Sequence, residues 1–314
     1  MPIVEKNIYI MNERLKNGLL FFIPTLIWGS TWYVIKFQLG SVDPLMSVSY
    51  RFFMAGCIMV LFCLLFKYNM RFGYKNHLLF LLQGVLLFGV NYWMVYMAEL
   101  QLTSGLIAII FSLVVITNAV FGKIFIRSKI TWKLLIGGIL AISGTAMIFA
   151  KEIGLLFGGN MLLSAIIMSF ASLILASLGN VLSAYTQKKM IPLFQSNAYS
   201  MVYGALVLFI IGLFIGRKVN FEMEYSYVLS LLYLAIFGSV IAFSSYLKIV
   251  GNIGPAKASY ALVLVPLIAM IFSTIFESYE WQTSALFGMP VLIIGNMIAM
   301  DKLKPEKLLK KWKK

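Results

Sequence analysis

The chain is poor in the residues that water-soluble enzymes rely on most. Its 314 residues include one histidine, two cysteines and 11 acidic side chains, and only 12% are charged. Soluble domains are near half apolar and about a quarter charged. With 61% hydrophobic residues this chain cannot cover a water-facing surface with polar groups. So few acids and a lone His77, read as interfacial, give no cluster with metal-ligand or nucleophile spacing. No GxxxxGK[ST] loop is present, so this chain does not hydrolyse ATP. No catalytic residue, metal or cofactor is expected. Cys57 and Cys63 share one apolar run and read as buried packing residues, not a disulfide framework. The first apolar run is about 20 residues long without a small-residue cleavage site, so no cleavable signal is expected.

What the chain does have is long apolar runs without strand-like alternation. A bilayer core needs roughly 20 apolar residues per helix, and only helices or closed barrels satisfy their backbone groups inside it. The expected class is all-α, a polytopic membrane protein with ten transmembrane helices. The spans fall near 18–36, 45–66, 77–97, 103–125, 132–150, 161–186, 196–216, 226–248, 257–276 and 283–300. The connections between them leave no room for a soluble domain.

Charge gives the direction. With the N-terminus inside, the cytoplasmic segments collect 21 Lys and Arg, seven of them in the tail KLKPEKLLKKWKK. The opposite side collects three: Lys151, Arg217 and Lys218. Both termini are therefore expected in the cytoplasm. The net charge of +15 then reflects topology, with the tail also able to touch anionic lipid, and calls for no nucleic-acid partner.

The two halves repeat. LLIGGILAISG (134–144) resembles ALFGMPVLIIG (285–295), and PLMSVSYRFFMAG (44–56) aligns without gaps on PLFQSNAYSMVYG (192–204). Five spans per repeat is an odd number, so the second repeat enters the membrane from the opposite face. Two inverted five-helix repeats are a common architecture of secondary transporters. The expected division is a cytoplasmic segment 1–17, a first repeat 18–150, a second repeat 151–301 and a basic tail 302–314.

Arg51 is a permanent charge about two turns inside the second span, which costs at least about 2.5–3.5 kcal/mol on insertion scales. Two readings stand. It is structural, capping backbone carbonyls or pairing with Glu99 or Asp43, or it is a cationic group on the outer cavity wall that meets a substrate carboxylate or closes a gate. Trp28, Trp32 and Tyr33 of the first span, Asn91, Tyr92, Trp93 and Tyr96 of the third, Asn180, Ser183 and Tyr185 of the sixth and Ser244, Ser245 and Tyr246 of the eighth form a second set. Polar-tipped aromatic rings suit a pocket for flat or amphipathic molecules, though the same residues also glue helices. The substrate path is drawn through Trp28, Tyr33, Arg51, Asn91, Tyr92, Tyr96, Asn180, Tyr185, Ser244, Tyr246 and Tyr260. No acid lies deep in any span, which favours exchange or facilitated movement, or a proton or gate site built on Glu99 and Lys36. Pro24, Pro266 and Pro290 lie within spans, and Pro266 is the candidate hinge. Gly84, Gly89, Gly137, Gly138, Gly144, Gly288 and Gly295 are read as packing glycines.

WGSTWYVIK (28–36), YRF (50–52) and IGPAKASYALVLVPLIAMIFSTIFESYEW (253–281) leading into LFGMPVLIIGN (286–296) resemble the EamA-type carriers of the drug/metabolite transporter superfamily. The resemblance covers essentially the whole chain. It implies a ten-helix carrier of a bacterial inner membrane that moves a small organic metabolite by alternating access, with an amino acid or related compound favoured and export the commoner direction. An exchanger or importer of another class, nucleotide-like or amphipathic cation, is the alternative, and a membrane-embedded enzyme is a further one. A homodimer is left open. An arginine at the place of Arg51 recurs in the resembled family. Two departures stand out: Val115 occupies the place that matches Pro266, and RSK (127–129) replaces an acidic or glycine-containing turn.

Overall fold

The computed structural model describes residues 3–102, 107, 110–148, 150, 161–276 and 281–299, and they are helical with short connections. The basic tail, Lys151 and Glu277 lie outside the described residues. Ten helical stretches follow in order. They are α1 (Ile3–Ile35), α2 (Pro44–Leu65), α3 (Tyr74–Glu99), α4 (Ile110–Ile126) and α5 (Trp132–Ile148). The second half supplies α6 (Met161–Lys188), α7 (Leu193–Phe214), α8 (Tyr225–Ile253), α9 (Tyr260–Phe276) and α10 (Thr283–Ala299). Seven stretches among the described residues are long and apolar enough to cross a bilayer, the last of them α9 taken together with the turn before it, Pro255–Phe276; α4, α5 and α10 are shorter apolar helices.

The local chemistry explains the breaks. Pro44 opens α2 at its first turn, where a missing N–H costs nothing, and Asp43 caps it by accepting from Leu45 N at 2.9 Å. Asp43 also pairs with Arg217 at 3.4 Å. Gly254, at φ +87°, takes the left-handed conformation that ends α8 before Pro255. Both α3 and α8 contain a π-helical segment, Gly84–Gly89 and Ile236–Ile241. Large apolar side chains such as Phe22, Leu26, Leu61, Leu64 and Leu65 point outward, as lipid-facing residues do. Cys63 is buried, but Cys57 faces outward with them, which corrects the expectation that both cysteines pack inside. Six residues apart on one helix, they sit on different faces.

Packing pairs the two halves helix by helix. α2 lies on α7 and α5 on α10; α1 lies on α9 and α8, while α6 lies on α4 and α3. The α5–α10 contact is backbone against backbone. A Cβ added at Gly144 would sit 2.5 Å from Leu292 N and 2.7 Å from Gly288 O. Those atoms belong to a helix and cannot step aside. Gly144→Ala is expected to cost about 1–3 kcal/mol, read as a lowered unfolding midpoint in detergent. Gly73→Ala, which meets open space, should leave the midpoint where it is.

Candidate substrate cavity

A cavity lies between helices of both halves, with about 750 Å3 of empty space counting its mouth. α1 presents Trp28, Thr31, Trp32 and Ile35, the i, i+3, i+4, i+7 face of a helix. α3 adds Asn91, Tyr92 and Val95, and α4 adds Phe111 and Val114. From the other half come Asn180 of α6, Phe243 and Tyr246 of α8, and Leu262, Val265 and Pro266 of α9. The lining on α1, α3 and α4 extends toward the face that carries residues 39–43. The other end is closed by a floor.

That floor is a hydrogen-bonded chain. Asn180 Nδ2 donates to Tyr246 Oη at 3.3 Å and to Asn118 Oδ1 at 3.5 Å, while Asn118 Nδ2 donates to Pro255 O at 3.3 Å. It joins α4, α6, α8 and the turn before α9. Below it, Gln187 Nε2 donates to Leu247 O at 2.8 Å. Asn118 is absent from the residues picked out above. It stands in the run ITNAVF, where a single amide carries no pattern that separates a latch from a buried spacer.

The aromatic wall is built around α8. Trp28 meets Phe243 and Tyr246 edge to face, with centroids at 5.0 and 5.2 Å, and its Nε1 donates to Gly238 O at 3.0 Å. Gly238 lies in the π segment, a kind of distortion often found at functional sites. Ser239 lies there too, donating its Oγ to Leu234 O at 2.9 Å.

Arg51 reaches into the same segment. Only 1% of it is exposed. Its Nε donates to Ser239 Oγ at 3.0 Å and Nη1 to Tyr96 Oη at 3.3 Å. Its guanidinium carbon stands 4.7 Å from the Tyr92 ring centroid and 5.1 Å from that of Phe52. The guanidinium therefore hydrogen-bonds to hydroxyls, one layer behind the cavity wall, with the Tyr92 ring in front. Asp43 is committed to Arg217 and the start of α2, so it is not the arginine's partner. Both carboxylate oxygens of Glu99 are covered and lack a hydrogen-bond partner, within electrostatic range of Arg51 and Lys36. Lys36 itself sits exposed in the 3-10 turn Lys36–Gln38 after α1.

Of the path residues drawn from the sequence, Trp28, Asn91, Tyr92, Asn180 and Tyr246 converge on the cavity, with Pro266 beside them. Tyr96 and Arg51 form the layer behind. Four others lie elsewhere. Tyr33 is five residues past Trp28, about 140° round the helix, and stacks on Phe276 at 5.3 Å. Tyr185, five past Asn180, turns outward with Lys189 over its ring at 5.6 Å. Ser244 donates to Met59 Sδ of α2 at 3.8 Å. Tyr260 is buried under the cavity and ties α9 to α5 by donating to Leu134 O at 2.7 Å.

Known proteins agree with this architecture. Residues 16–150 and 163–300 each match the EamA-like transporter family. The inner membrane transporter YedA of Escherichia coli strain K12 is 29% identical over 289 residues, covering 88% of this chain and 89% of that protein. The transporter YvbV of Bacillus subtilis strain 168 is 22% identical over 302 residues, 94% of each chain. Protein PagO of Salmonella typhimurium strain LT2 is 23% identical over 292 residues, 92% of this chain and 94% of its own. One crystal structure superposes with a TM-score of 0.74 over 91% of this chain and 97% of that one, at 13% identity, and so shares the fold. Both halves of the chain carry the match, and the chain belongs to the EamA-like transporter family.

Proposed function

We propose that this protein is a secondary carrier that moves a small amphipathic organic metabolite by alternating access, in the direction of export. Amino acids and compounds related to them are the class that the family resemblance favours. The observation that carries the proposal is the cavity itself, walled by aromatic rings and buried amides from both halves and closed at one end by a hydrogen-bonded floor. The reading takes all ten helices as spans in two inverted repeats, 18–150 and 151–301. The packing supports it, because exchanging each helix with the one five places on returns the same set of pairings: α2–α7 and α5–α10 map onto themselves, and the two contacts of α1 onto the two of α6. The excess of Lys and Arg on one side puts both termini in the cytoplasm, so the cavity reaches outward and the Asn118–Asn180–Tyr246 floor is the inner gate. Pro266, inside α9 and on the cavity wall, is the hinge at which that gate moves. Glu99 and Lys36 are the proton or gate site in this reading.

The test is purified protein in liposomes, screened with labelled metabolites for saturable counterflow with and without a pH gradient. Saturation and counterflow identify a carrier. Flux that rises linearly with concentration, or no flux across the panel, removes the proposal. Acceleration by the gradient assigns coupling to the Glu99 site, and its absence leaves exchange. Once a substrate is in hand, Trp28→Ala should raise the half-saturating concentration about tenfold, since aromatic contacts contribute about 0.5–1.5 kcal/mol beyond the area they bury.

A further inference from the structure

Among the described residues that line the cavity there is no Asp, Glu, Lys, Arg or His. What stays unsatisfied in its walls is specific. Three covered polar atoms of lining residues lack a hydrogen-bond partner: Trp32 Nε1, Asn91 Oδ1 and Asn180 Oδ1. The other half of each amide fixes its orientation. Asn91 Nδ2 donates to Leu87 O at 3.2 Å. Asn180 Nδ2 donates to Asn118 Oδ1, which can only accept because Asn118 Nδ2 is committed to Pro255 O. The walls therefore hold two unpartnered acceptors and one unpartnered donor among flat rings, each covered, so that a ligand reaches them only as the lining side chains part. Covered polar atoms of this kind are costly unless a partner arrives.

Charge is answered differently. A cation entering here would meet no carboxylate among the described lining residues, and the Tyr92 ring already faces the Arg51 guanidinium at 4.7 Å. Only uncharged ring faces such as those of Trp28 and Trp32 are left to offset its lost hydration. An anion would shed its hydration without reaching a cationic side chain, since Arg51 lies behind that ring and is 1% exposed. Resting on the carrier reading, we infer that this site takes an uncharged ligand with a flat apolar body and an N–H-bearing edge. Aromatic carboxamides and amino-substituted heteroaromatics fit that description; the amide hydrogens meet Asn91 and Asn180, and an acceptor on the ligand meets Trp32. This narrows the compounds related to amino acids to their uncharged members, because a zwitterion presents both kinds of ion to a site with a counter-charge for neither.

The test is isothermal titration of the full-length protein in detergent with two matched series. One is indole-3-acetamide, indole-3-acetate, tryptamine and tryptophan; the other is nicotinamide, nicotinate and 1-methylnicotinamide. The amide of each series is expected to bind at least about tenfold more tightly than its charged partners. Asn180→Asp and, separately, Asn91→Asp place a carboxylate where a free amide oxygen stood, and should move the preference to tryptamine. A purely structural role for these amides would not produce that reversal. A charged or zwitterionic member that binds as tightly as its amide overturns the inference, as does an unchanged ranking in the folded aspartate variants, or no binding of either amide. The wild-type comparison decides the matter even where both variants fail to fold. Saturable counterflow of a charged metabolite would sink this inference and leave the carrier standing, whereas the carrier reading falls only with the liposome assay.

Discussion

Arg51→Met should reduce transport by about 100-fold while the protein still inserts and folds. The two effects separate because they have different origins. A buried charge carries a desolvation cost of several kcal/mol, and its interactions offset much of that. Deleting the charge removes both sides at once. What remains is a Tyr96 hydroxyl without its donor and a gap beside Ser239, a net loss of about 1–3 kcal/mol. Transport suffers more because the guanidinium sets geometry. It holds the π segment of α8, through Ser239, against Tyr92 and Tyr96 of α3, and both of those helices contribute to the cavity wall. Displacing a positioned group by about 1 Å can cost about 10²-fold in a constellation of this kind. Arg51→Lys should be nearly as defective, since a compact ammonium cannot hold Ser239 and Tyr96 together in the fork that arginine provides. Counterflow per inserted molecule, set beside the unfolding midpoint in detergent, checks both halves of the expectation. Normal transport at intact expression takes Arg51 out of the mechanism.

The same arginine shows how far the sequence could be read. Its depth in an apolar run was visible, and so was the need for a special environment. Its partners were not. The sequence offers Glu99, Asp43 or a backbone carbonyl, because formal charges and main-chain groups are the partners it displays. The structure instead gives it hydroxyls and ring faces, one of them Ser239, which in the run FGSVIAFSSY is indistinguishable from a small packing residue. The π segments were equally hidden. Gly84–Gly89 and Ile236–Ile241 change the rotation of α3 and α8 midway, so regular 100° spacing assigns faces wrongly beyond them. Tyr92 and Tyr96 are four apart and share a helix face, yet one fronts the cavity and the other stands behind it, with Arg51 touching both. Features that depend only on local rules were legible: apolar runs, the Pro44 start of α2, and the glycines through which α5 and α10 meet. Tyr33 and Tyr185 were misplaced for a simpler reason. Residue type drew them into the path, and five positions along a regular helix is enough to turn them away from it.

Asn118→Leu is expected to loosen the floor of the cavity and speed access from the side that carries residues 127–131. The substitution keeps the branched outline, with somewhat more bulk, but removes the one side chain that joins Asn180 to the Pro255 carbonyl. Interhelical hydrogen bonds inside membranes contribute about 0.6 kcal/mol on average and up to about 1.7. Two of them change here, and the Pro255 carbonyl keeps only the Ser259 N–H at 3.0 Å. The population with an open floor should therefore rise by about eight- to three-hundredfold. Cysteine placed at Leu262, in a background with Cys57 and Cys63 replaced, gives the readout: its modification by a membrane-impermeant thiol reagent applied from that side should accelerate by the same factor. Tyr246→Phe, which removes one bond of the chain and leaves the Asn118–Pro255 link intact, should fall near the lower end of that range. Unchanged labelling in both variants would mean that the floor is held by side-chain packing alone. The proposed alternating-access cycle would then need a gate elsewhere, with Gln187 against Leu247 the next hydrogen-bonded contact down from the cavity.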